Sequence, residues 1–103
     1  MRVSPQQIQR LKLAVSKHFG ESASVTVFGS RVDDSRRGGD YDFYVETSSD
    51  DADQVIDNKL KVLVDLHASP EFEEEKIDLV VRSAVPGPEL AIYKVAQEEG
   101  VRL

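Results

Sequence analysis

Apolar residues at Ile8, Leu11, Val15 and Phe19, with Ala14 beside them, recur every three or four positions and predict an amphipathic helix over 5–19. Ser4, Pro5 and Gln7 supply a hydroxyl N-cap, a proline at the first helical position and a glutamine at N3, the arrangement of a capping box. Gly20 offers the C-terminal stop. Val25-Thr26-Val27-Phe28 is a short β-rich run entering a tight turn at Gly29-Ser30. The polar stretch from Arg31 to Gly39 separates it from a second strand, Tyr41–Val45. Ser48-Ser49-Asp50-Asp51 then opens a long helix, because serine and aspartate suit an N-cap and the positive end of the helix dipole. Its apolar line is read as Ile56, Leu60, Leu63 and His67, flanked by Val55, Val64 and Leu66, with His67 packing at the edge of the core; Pro70 ends it. The acidic run Glu71–Glu75, broken only by Phe72, reads as a solvated connector to a third strand, Ile77–Val81. Gly87-Pro88-Glu89 starts a last helix bearing Leu90, Ala91, Ile92 and Val95 and closed by Gly100, with Ile92, Tyr93 and Val95 mainly in the core.

The order α-β-β-α-β-α, with strands too continuously apolar to keep one face wet, predicts an α/β or α+β domain of two layers, a small mixed sheet with helices packed on it. A chain of 103 residues fits one domain spanning 1–103. Composition narrows the chemistry. The chain has no cysteine, which removes disulfides, thiolate metal sites and cysteine nucleophiles together. His18 and His67 lie far apart, without HxxxH or HxxEH spacing. Thirteen basic against nineteen acidic residues leave a net charge of −6, a poor balance for gripping nucleic acid by its phosphates. No apolar run approaches a membrane span and the start MRVSPQQIQR has no apolar signal core, so the expected location is cytoplasmic.

Two aspartates interrupt an otherwise aromatic and apolar strand entry, in Gly38-Gly39-Asp40-Tyr41-Asp42-Phe43. Strands deplete aspartate, and a residue placed against local propensity points to a site. Asp40 and Asp42 share a face, roughly 6.5–7 Å apart at the strand rise, a separation at which two carboxylates can grip a hard divalent cation and otherwise repel. Asp78, between Ile77 and Leu79, repeats the anomaly on the third strand. If that strand neighbours the second, a three-carboxylate cluster results, of the kind that holds two Mg²⁺ ions in phosphoryl and nucleotidyl transfer. Gly29 lets the backbone turn close to a ligand, Ser30 offers a hydroxyl and an amide, and Arg31 a forked cation suited to phosphate. Each feature has a plainer reading: an ordinary strand-end turn, an acid pair on a solvated face, a hydrogen-bonded buried acid. Arg36 and Arg37 read as a solvated loop. The chain has no GxxxxGK[ST] phosphate loop, no GxGxxG and no EF-hand loop.

Taken together, Phe28-Gly29-Ser30, nine intervening residues and then Asp40-Tyr41-Asp42-Phe43 resembles the hydrophobic-Gly-Ser…Asp-x-Asp signature of the DNA polymerase beta-like nucleotidyltransferase superfamily. Asp78 resembles that family's later carboxylate on a neighbouring strand. The small size and the Gly-Ser-Arg start are similar to its minimal nucleotidyltransferase branch, often paired in prokaryotes with a HEPN-domain protein as a toxin–antitoxin system. The resemblance covers roughly residues 5–82. Gly39 departs from the serine common before the first aspartate, and Tyr41 from the small aliphatic residue usual between the two, which requires Tyr41 to pack inward.

The resemblance implies that Gly29, Ser30 and Arg31 hold the triphosphate of a nucleotide, ATP by expectation. Asp40, Asp42 and Asp78 would be the catalytic acids and ligands of two Mg²⁺ ions. AMP would pass to a hydroxyl of a HEPN-type partner within a hetero-oligomer, without nucleic acid or membrane. The alternatives are a binding module that neutralises its partner by complex formation alone, and a small-molecule nucleotidyltransferase of the aminoglycoside type. The latter carries an extra helical domain for which 103 residues leave no room.

Overall fold

The computed structural model describes residues 1–103. Helix α1, Pro5–Phe19, begins as the sequence predicts. The Gln7 amide donates to Ser4 Oγ at 3.1 Å, and the Ser4 amide donates to Gln7 Oε1 at 3.0 Å. The same Gln7 side chain donates through Nε2 to the Tyr41 hydroxyl at 2.9 Å and to the Glu71 carbonyl at 3.0 Å, so the cap also ties the helix start to the sheet.

Four strands follow: β1, Ser24–Phe28; β2, Tyr41–Glu46; β3, Ile77–Arg82; and β4, Val101–Arg102. They form one mixed sheet in the order β3-β2-β1-β4. β1 runs antiparallel to β2 and to β4, whereas β2 and β3 are parallel. A parallel pair needs a crossover, and helix α2, Ala52–His67, supplies it. Asp51 caps α2 by accepting from the Gln54 amide at 3.1 Å.

Strand alternation sorts the side chains. Val25, Val27, Tyr41, Phe43, Val45 and Leu79 point to the face covered by α1 and α2, where they meet Leu11, Val15, Val62 and Leu66. Phe72 closes this core. It is fully buried, edge-on to Tyr41 at 5.3 Å and to Phe43 at 5.9 Å between ring centroids, so the acidic connector is pinned by its one aromatic residue. Helix α3, Ala91–Glu99, lies over part of the other face and forms a smaller cluster there from Phe28, Tyr44 and Ala96. Gln97 Nε2 anchors it by donating to the Tyr44 hydroxyl and to Glu46, both at 3.2 Å. The fold is α+β, with helices packed on a small mixed sheet.

Three expectations need correction. Of the predicted line of α2, Leu63 packs against the core, but Ile56 and Leu60 face outward together with the flanking Val64, 59%, 56% and 66% exposed, and the buried positions are Val62 and the flanking Leu66. His67 belongs to that exposed side rather than the core edge, with Nε2 3.1 Å from the Glu75 carbonyl oxygen. The core contact of α3 is Ala96, while Ile92 and Val95 are exposed and the helix starts only at Ala91. Gly100 closes α3 as expected, and it also admits β4, which the sequence did not announce: a Cβ there would collide with the Thr26 side chain. No helix is long and apolar enough to cross a membrane.

Candidate functional site

The second sheet face is bare at one end, where β1 finishes and β2 and β3 start. Register places three strands in a row there: Phe28 opposite Asp42, and Asp42 opposite Asp78. The two acids are therefore direct neighbours on one face, which is the juxtaposition the sequence left conditional. Asp40 precedes β2 by one residue and lies close enough for its charge to act on Asp42. Tyr41 between them turns inward and is buried, so it fits the core as required.

The electrostatics follow from that crowding. Asp42 is held above the usual carboxylate range, first by partial burial, then by the charges of Asp78 and Asp40 and a hydrogen bond with Asp78; Lys76 opposes the shift. Lys76 was not singled out in the sequence. It sits 3.4 Å from Asp40 Oδ2, and the period of two that aligns it with Asp78 is the signal that marks it. The register explains the pairing: one step beyond Asp42–Asp78 on the same face, Asp40 comes opposite Lys76.

Beyond β1 the chain makes a 3-10 turn, Gly29–Val32. Gly29 has φ 75°, a backbone region that favours glycine, and a Cβ there would overlap Asp42 Oδ2 and stand 3.1 Å from its Cγ. The turn thus rests directly against the central acid. Gly39, at φ 90°, leaves similar room for Ser30, whose Oγ a Cβ at that position would overlap. Gly39 therefore accommodates the serine of the turn.

Arg31 lies in the turn and braces it. Its guanidinium stacks 4.0 Å from the Tyr41 ring centroid and donates to the Gly39 carbonyl through Nε at 3.2 Å and Nη2 at 3.0 Å. It fastens the 33–40 loop onto the turn. Arg2 does the same from the other side, donating through Nη2 to the Ser30 carbonyl at 2.8 Å and through Nε to the Asp33 carbonyl at 3.2 Å. Nothing in the sequence pattern pointed to Arg2, because its partners are backbone carbonyls some thirty residues away. Arg36 and Arg37 are exposed in the loop.

The structure thus gathers Gly29, Ser30, Asp40, Asp42 and Asp78 around one corner of the sheet, with Arg31 bracing the loop. As they stand, no three histidine or acidic side chains are arranged to hold a metal ion, Asp40 being turned to Lys76. The donor set still fits a hard divalent cation. It consists of carboxylate oxygens, and the like-charge crowding that, after burial, raises Asp42 is what a bound cation would relieve. Comparison with protein-family models, with curated proteins and with solved structures finds no match for the chain.

Proposed function

We propose that the chain is a nucleotidyltransferase that moves a nucleoside monophosphate, AMP from ATP in the first instance, onto a hydroxyl of a partner protein. The observation that carries this reading is the parallel register that sets Asp42 beside Asp78, with Gly29 pressed against Asp42 and Asp40 two residues away. Asp40, Asp42 and Asp78 would hold Mg²⁺, which when bound supplies positive charge to the phosphates and to the developing oxyanion. The Ser30 hydroxyl and the amides of the turn would receive triphosphate oxygens. Asp78 is exposed at the rim, where an incoming acceptor meets it first, and it takes up the proton of the acceptor hydroxyl. The hydroxyl oxygen attacks the α-phosphorus, the bond from that phosphorus to the bridging oxygen of the β-phosphate breaks, and pyrophosphate leaves. The resemblance drawn from the sequence suggests a HEPN-type protein as acceptor, in an antitoxin role.

A specific observation favours a second reading, a module that binds its partner without chemistry: Asp40 is already paired with Lys76. One experiment separates the two. Incubation with α-labelled ATP, Mg²⁺ and the cognate partner labels the partner with the wild-type chain. The label falls by at least about 10²-fold with Asp42→Asn. In addition, Mg²⁺ with ATP raises the melting temperature of the wild type by mass action and not that of Asp42→Asn. Neutralisation of the partner by an Asp40→Asn/Asp42→Asn chain, with no label transferred by the wild type, selects the binding module instead.

A further inference from the structure

Helix α2 carries more apolar side chains than the core accepts. Val62 and Leu66 fill the core side, while Ile56, Leu60 and Val64 stand exposed on the outer side. Four-residue spacing puts these three in one line along the helix, and Asp53 and His67, three residues beyond either end, continue it. The spacing of the whole line is three, four, four, three, symmetric about Leu60. Its ends differ in kind, an acid at the N-terminal end and an imidazole at the C-terminal end. On one flank lie Asp57 and Lys61, 2.9 Å apart and both well exposed.

A second helix laid on this line has two choices. Parallel, in register, it sets Asp53 on Asp53 and His67 on His67. Antiparallel, it sets acid on imidazole at both ends, Ile56 on Val64 twice, Leu60 on Leu60, and each Asp57 beside the other chain's Lys61. The pattern is complementary to itself only in the second arrangement, the signature of an isologous two-fold contact. We propose that α2 packs antiparallel against α2 of a second copy of this chain, about a two-fold axis passing by Leu60. Three apolar side chains per copy fall short of the ~1,200–2,000 Å² of a stable interface, so the dimer is weak, with a dissociation constant of roughly 10 µM to 1 mM. The face involved is across the sheet from Asp42 and Asp78, so the inference stands or falls apart from the proposed chemistry.

Sedimentation of the full chain from about 10 µM to about 1 mM tests it. The expected result is a concentration-dependent shift from monomer to dimer, weakened roughly tenfold or more by Leu60→Asp, a change at an exposed site that leaves far-UV circular dichroism unchanged. Asp57→Lys and Lys61→Asp each weaken self-association, and mixing the two variants restores it, since every flank then pairs opposite charges. Because the chain lacks cysteine, Asp53→Cys and His67→Cys report the orientation: mild oxidation yields the mixed disulfide from the mixture in preference to either like-with-like product. A monomer throughout the range overturns the proposal, as does a dimer indifferent to Leu60→Asp or one giving like-with-like disulfides. Binding at Leu60 by a different protein only, with the chain alone monomeric, overturns it too.

Discussion

Replacing Gly29 by alanine tests the contact on which the site geometry turns. Two costs add. At φ 75° an L-residue pays about 1–2 kcal/mol for the left-handed backbone region. The new Cβ would also overlap Asp42 Oδ2 and stand 3.1 Å from its Cγ. Carbon atoms prefer about 3.5–4.0 Å, so the carboxylate must retreat by roughly 0.4–0.9 Å, and forced repacking of this size costs about 1–3 kcal/mol more. Gly38 provides the internal standard: its φ is 61° and nothing lies within 4 Å of its Cβ position, so Gly38→Ala carries the backbone cost alone. Urea unfolding at a common slope should therefore give a loss of about 1–2 kcal/mol for Gly38→Ala and about 2–5 kcal/mol for Gly29→Ala. At about 4–8 °C per kcal/mol for a domain of this size, the two melting temperatures separate by several degrees or more. Adding Asp42→Ala to Gly29→Ala removes the obstructing carboxylate and recovers the excess but not the backbone cost. Equal losses for Gly29→Ala and Gly38→Ala, within about 0.5 kcal/mol, would refute the close approach of turn and acid.

Two further outcomes follow from the same geometry. Asp42 is held above the usual carboxylate range by burial and by Asp78, so the stability it contributes is fully present below its unfolded value of 3.8 and is lost as pH rises through the raised folded one. Asp42→Asn, which cannot ionise, should therefore gain on the wild type in urea midpoint between about pH 3 and pH 7; a constant difference across that range would count against the acid pair. Phe72→Ala removes a fully buried ring packed edge-on against Tyr41 and Phe43 and should cost about 3–5 kcal/mol by urea unfolding; a loss below about 1 kcal/mol would mean that the connector does not anchor in the core.

Much of this was legible in the chain because local signals and tertiary demands agree. Ser4, Pro5 and Gln7 announce α1, and the aspartates at 40, 42 and 78 stand out because they interrupt apolar strands. Three features were not legible, for different reasons. The apolar residues of α2 spread over more than half of its circumference, so periodicity alone admits more than one buried face. The choice is made by packing: Val62 and Leu66 are fully buried in the core, Asp65 pairs with His18 and Lys17 of α1, and Ile56, Leu60 and Val64 are left outward. The stacking of Arg31 depends on Tyr41, ten residues on, supplying a ring face, which no local pattern announces. β4 is two residues long, below the length at which alternation can be read, and exists because Gly100 lets the chain pass close to β1.

The parallel pairing of β2 with β3 has a consequence for assembly. Asp42 and Asp78 belong to strands joined only through a sixteen-residue helix and its connections, so no local segment can hold them together. Long-range strand pairing is the slow step of such topologies, and here it must also drive two negative charges into contact. The acidic corner is therefore expected to form together with that pairing. A fragment or a trapped intermediate carries none of it, and divalent cations present during refolding should favour the closing step by lowering the repulsion it has to overcome.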